Sequence, residues 1–158
     1  MAEIIRPKFD VVRGWAGGGS LGSAYDKTFN QMLDSSDAPL LVKQGTFITY
    51  SSTTPGAMVP LVTATTTTRD DYNVWLVVEG NDPLDSFSGD FLNKCVAIKG
   101  VYEALFSSTM FTAGAYVPGA AVTVTAGKLA LRSSTLPKLG YVTSYDSASG
   151  LLTCAFNL

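Results

Sequence analysis

From residue 38 to the C-terminus, short runs of Val, Thr, Tyr, Phe and Leu are cut about every ten residues by Gly, Pro, Asp or Ser. Branched and aromatic side chains suit a pleated, half-buried surface, and the residues between them suit turns. The pattern predicts strands near residues 46–50, 58–63, 73–79, 95–105, 121–125, 129–132, 139–145 and 151–158. It is clearest in the last of these, where Leu152, Cys154, Phe156 and Leu158 alternate with Leu151, Thr153, Ala155 and Asn157. One face of that strand is apolar and the other mixed, at the two-residue period of a half-buried strand. Asp146-Ser147-Ala148-Ser149-Gly150 before it reads as a hairpin link, and Ala126-Gly127-Lys128 as a second hairpin turn. The fold class expected is all-β: a small barrel or sandwich with an extended N-terminal arm and room for one short helix.

The arm is residues 1–23, followed by a single β-rich domain over 24–158 with its barrel hairpins at the C-terminal end. Gly17, Gly18, Gly19 and Gly22 fall within six positions, and glycines lose much entropy when ordered. This segment is expected to take its shape from a neighbour. Beyond it, Ser23 stands three residues before Asp26, and Tyr25, Phe29, Met32 and Leu33 share one helical face, which predicts a helix over about 24–33. The tract 63–68, Thr-Ala-Thr-Thr-Thr-Thr, reads as a β-prone edge or loop.

Charged residues are only 15% of the chain, against about 25% in an ordinary globular protein, and mean hydropathy is positive. Ser, Thr, Asn and Gly must therefore carry much of the polar surface. Uncharged groups lose less than ions when covered, so this is expected to be an assembly surface. Net charge is −2 and the 11 basic residues are scattered, which argues against nucleic acid as a partner. No apolar run approaches the roughly 20 residues of a membrane span, and Met1-Ala2-Glu3 opens without the order of a secretory signal. A soluble protein without a membrane partner is expected. Cys95 and Cys154 both sit in apolar, strand-like segments and read as buried reduced thiols, with a single cross-strand disulfide as the other reading.

Histidine is absent, which removes Ser-His and Cys-His dyads and histidine metal sites. Glu79, Asp82, Asp85 and Asp90 lie close in sequence, but their spacing is not that of an EF-hand loop. They read as a solvated turn rather than as a calcium site or an acid pair. Gly17, Gly19 and Gly22 spell G-x-G-x-x-G, yet the β-rich remainder of the chain lacks the strand-helix alternation that a dinucleotide fold needs. No catalytic residue, metal or cofactor is expected. Aromatic residues from Trp15 to Tyr141 read as core or subunit contacts, with an exposed sugar-stacking platform as the alternative.

Tyr116-Val117-Pro118-Gly119-Ala120-Ala121-Val122-Thr123-Val124, then Gly127-Lys128-Leu129, Leu139-Gly140-Tyr141-Val142 and Gly150-Leu151-Leu152-Thr153-Cys154-Ala155-Phe156, resembles the closing barrel of tailed-bacteriophage capsid decoration, or cement, proteins. Val77-Val78-Glu79-Gly80-Asn81-Asp82 and 95–104 resemble the strands that precede that barrel. The resemblance spans about two thirds of the chain. It implies a protein made in the host cytoplasm that joins the exterior of an assembled capsid and clamps major capsid subunits. It also implies association with copies of itself, a trimer before a dimer. Partner contact is expected through the arm, with Phe9, Val11, Trp15 and Leu21 as apolar anchors. The alternative function is a carbohydrate-binding β domain of a phage tail or adhesin.

Overall fold

The computed structural model describes residues 8–15, 24–65, 73–80 and 94–158. Among them the chain is nearly all β, with ten strands joined into one curled, half-barrel antiparallel sheet. The strands are β1 (Phe9–Arg13), β2 (Ala24–Phe29), β3 (Phe47–Tyr50), β4 (Met58–Pro60), β5 (Trp75–Glu79), β6 (Cys95–Ser107), β7 (Ala121–Thr125), β8 (Lys128–Leu131), β9 (Gly140–Asp146) and β10 (Leu151–Asn157). A single 3₁₀ turn, Ser108–Met110, comes directly after β6. The eight strands read from the sequence are all present.

β6 organises the sheet because it is long enough to pair twice on each flank. Its first half lies between β2 and β5, and its second half between β1 and β10. Gly100 divides the halves at φ 119°, a backbone region that side chains rarely adopt. Gly100 also exchanges two backbone hydrogen bonds with Leu158, at 2.8 and 3.0 Å, so β10 is anchored at this point. The first half continues through β5 and β3 to β4, the second through β10, β9 and β7 to β8.

The concave side holds the larger core. Phe47 from β3, Phe106 from β6 and Phe156 from β10 meet there, with ring centroids 5.5 to 6.1 Å apart. These three rings tie the two halves of the sheet together. A smaller core lies on the opposite face of the β3–β5–β6 region, where Met32 and Val42 cover Ile48, Trp75, Val77 and Ala97. β5 is consequently buried on both faces, which is why Trp75-Leu76-Val77-Val78 reads as a continuous apolar run instead of an alternation.

The helix expected over 24–33 is not formed. Residues 24–29 are β2, paired with β6 from Ala24–Gly100 to Phe29–Cys95, and Met32 and Leu33 continue as bridges to Met58 and Pro39. Tyr25, Phe29, Met32 and Leu33 fit a helical period, but a ten-residue helix is marginal alone, whereas the flank of β6 supplies a ladder of ready partners. Segment 9–13, expected as part of an arm shaped by a neighbour, pairs as β1 with β6 of its own chain. β1 and β2 run in the same direction along one flank of β6, and Ala24 N donates to Gly14 O where they meet. Gly14 permits this join: it sits at φ 92°, and a Cβ there would press on the Val101 carbonyl and lie 2.8 Å from Tyr102 Cα.

Both hairpin readings hold. Thr125 faces Lys128 across a two-residue turn in which Ala126 and Gly127 have φ of 50° and 76°, the left-handed pair of a type I′ turn. Asp146 organises the other turn, its carboxylate accepting from the Ala148 and Ser149 amides and the Ser149 hydroxyl. These bonds favour the ionised form and lower its pKa.

Urea unfolding of two variants tests the turn and the core. Ala126→Asn, which completes the favoured Asn-Gly pair, is expected to raise the urea midpoint, with a gain of roughly 1 kcal/mol. Phe106→Ala, which removes a fully buried ring from the centre of the larger core, is expected to cost about 3–5 kcal/mol in the same assay.

Candidate interaction surface

Open sheet edges are where unpaired backbone groups can recruit another chain. Two of the edges here are partly covered from within. Against β4, Met58 N donates to Gln31 O and Leu33 N donates to Met58 O, both at 2.9 Å. Against β8, Thr112 N donates to Leu129 O at 2.8 Å beside the Phe111–Leu129 bridge. The flank formed by β1 and β2 differs: no described residue pairs with its outer side.

Three of the four expected anchors lie on or beside this flank, but they face inward. Phe9 packs edge-on against Phe106 at 5.7 Å, and Val11 and Trp15 are half-buried against the larger core. Trp15 Nε1 donates to Asp26 Oδ2 at 3.1 Å, joining the residue beyond β1 to β2. Leu21 lies outside the described residues, as do Gly17, Gly19 and Gly22. What β1 presents outward is Asp10, Val12 and Arg13. Val12 sits at a register shift between Val11 and Arg13, which breaks the regular ladder. Arg13 reaches Glu103 at 3.7 Å, mostly in solvent, so this ion pair adds little stability. β2 presents Tyr25, Lys27 and Thr28.

The carboxylates of the acidic turn are only partly placed: Glu79 is exposed at the end of β5, and Asp82, Asp85 and Asp90 lie outside the described residues. Elsewhere Asp34 and Asp37 line a depression of about 400 Å³. Both are engaged in local turns, Asp34 accepting from the Ser36 and Ala38 amides and Asp37 from the Thr53 and Thr54 hydroxyls. Among the described residues no three Cys, Asp or Glu side chains gather as metal ligands would, and no helix is long and apolar enough to cross a membrane.

Lysine ammonium groups overlie several aromatic rings. Lys99 Nζ stands 5.4 Å from the Trp75 centroid, Lys138 Nζ 5.4 Å from Tyr141, and Lys27 Nζ 5.9 Å from Tyr50, to whose hydroxyl it also donates. Val101 and Tyr141, half exposed, share a shallow depression of about 350 Å³ with Lys138 and Asn157 on the outer face of the second half of the sheet.

Cys95 and Cys154 are both free and buried, and they belong to different cores. The cross-strand disulfide is therefore not formed, and the reduced-thiol reading agrees with the structure. Burial pushes both thiols up to about 12, with Glu103 adding to the effect on Cys154. It pushes the Tyr116 phenol to about 12 as well and raises Tyr102 further still.

Sequence reasoning missed β2 as an edge strand. A signal was present, since Tyr25, Lys27 and Phe29 alternate with Ala24, Asp26 and Thr28, but only the two ends of that segment are buried. Comparison with protein-family models, curated proteins and solved structures found no match.

Each raised acid stays neutral in the folded state where the unfolded chain would ionise. The stability it contributes is present below the ordinary thiol value near 9 and is lost as pH rises toward 12. Thermal melts are accordingly expected to be flat up to about pH 8 and to fall steeply above pH 9. At neutral pH a thiol reagent should label neither cysteine in the native protein and both after denaturation.

Proposed function

We propose that this chain is a structural virion protein that binds the outer surface of an assembled tailed-phage capsid and stabilises contacts between major capsid subunits. The observation that carries the reading is the open flank formed by β1 and β2. Each of the other two sheet edges is met by backbone hydrogen bonds from elsewhere in the chain, whereas no described residue pairs with the outer side of this one, built from the N-terminal strands. Strand addition supplies affinity through main-chain hydrogen bonds and needs no pocket. The order of the segments that resemble the closing barrel of decoration proteins supports the same reading, because they fold as the contiguous unit β7 to β10. A rigid, curled sheet with a weakly charged surface suits dense packing on a shell, with copies meeting as a trimer in preference to a dimer.

The mode of attachment differs from simple anchoring by Phe9, Val11 and Trp15. Those side chains already serve the protein's own core, so the contact belongs to the backbone edge and to the outward Asp10, Val12, Arg13 and Lys27. The carbohydrate reading draws on exposed Tyr25, Tyr50 and Tyr141. It is the weaker one, because a lysine overlies Tyr50 and Tyr141 where a sugar ring would stack.

Cosedimentation with purified capsids is expected to give stable occupancy. Reversing the edge charges, Asp10→Lys with Lys27→Glu, should lower it severalfold, whereas Tyr141→Ala should leave it unchanged. Glycan binding without capsid binding would overturn the assignment.

A further inference from the structure

We infer that the edge of β2, with which no described residue pairs, disfavours a second copy of this chain and fits a strand of another protein that carries an acidic residue opposite Lys27 and a basic residue opposite Asp26. An antiparallel pair made from two copies of one strand is related by a two-fold axis perpendicular to the sheet. Directly opposed residues then point to the same face. Side chains alternate between faces, so an odd-numbered residue can face only an odd-numbered one, and an even-numbered residue only an even-numbered one. One residue must therefore sit on the axis and face itself.

β2 has six residues, Ala24–Phe29. The two fullest registers, each leaving one end residue unpaired, place Asp26 or Lys27 on the axis. In the first, Asp26 of one copy stands opposite Asp26 of the other. In the second, Lys27 stands opposite Lys27. Either way two side chains of like charge stand on backbone positions about 5 Å apart across the new ladder, an arrangement that opposes pairing. The register that would set Asp26 against Lys27 is forbidden by the parity of the two faces. Nor can either charge swing away freely, since Asp26 is held by Trp15 Nε1 and Lys27 by the Tyr50 hydroxyl. β1 offers no substitute, because the irregularity at Val12 interrupts its ladder. A strand from a different protein has no such constraint. An acid followed by a base, running antiparallel to β2, pairs with both charges at once. The inference is independent of the capsid reading, which would fail in capsid binding while this one stands or falls on the purified protein alone.

Sedimentation velocity of the purified full chain tests it. The double variant Asp26→Thr with Lys27→Thr is expected to shift the wild-type mass, whatever that mass is, toward double, with self-association up to roughly fivefold tighter. Lys27→Thr alone keeps the Trp15–Asp26 bond and opens the register centred on residue 27, so it should also associate. The charge-exchanged variant, Asp26→Lys with Lys27→Asp, still sets like charges on the axis and should keep the wild-type mass. Wild type mixed with Asp26→Lys should form mixed pairs that neither forms alone. The inference is overturned if the neutral variants and the mixture all keep the wild-type mass while circular dichroism shows a native sheet, or if the charge-exchanged variant associates as readily as the neutral one.

Discussion

Pairing along both flanks of β6 is the interaction on which every other part of this protein depends. Thirteen residues of one strand carry β1 and β2 on one side and β10 and β5 on the other, with Gly100 as the joint between the halves. Because Gly100 takes a conformation closed to most side chains, the two halves can diverge, and the sheet curls back on itself. Phe106 in one half then reaches Phe47 from the other. Aromatic pairs of this kind contribute about 0.5–1.5 kcal/mol beyond the apolar area they bury, and here they also set the spacing of the two halves.

The same arrangement assigns most of the described side chains to packing and turns. The inward positions are given to a close-packed core, and three of the described acids away from it, Asp34, Asp37 and Asp146, serve turns. Buried ionisable groups are thiols and phenols held neutral by burial, which makes them packing groups and not nucleophiles. Among the described residues, what the molecule offers outward includes a few half-exposed apolar side chains and the flank of β1 and β2, with whose outer side no described residue pairs.

That edge carries opposed demands. On the proposed reading it stays available to a partner, yet an open edge invites aggregation. Asp26 and Lys27, adjacent in sequence and therefore on opposite faces, reconcile the two because their cost falls on identical copies and not on a complementary strand. The register shift at Val12 does the same for β1 by geometry instead of charge.

Much of this was legible in the residues themselves. Period-two alternation located β10, turn residues located both hairpins, and the eight predicted strands arise from local preference for a pleated, half-buried surface. Segment 24–33 was not legible, because Tyr25, Phe29, Met32 and Leu33 satisfy a helical period as well as a strand followed by two bridges. Whether 9–13 is a free arm or a strand was equally undetermined, since five residues gain nothing from extension until a partner flank exists. Only the folded β6 supplied that flank, and with it decided that Phe9 faces Phe106, that the two cysteines lie in separate cores, and that the edge left open belongs to β1 and β2. Local preference selects which segments can be strands; which strand lies beside which is a matter of long-range pairing, and that is fixed only when the whole sheet closes around its core.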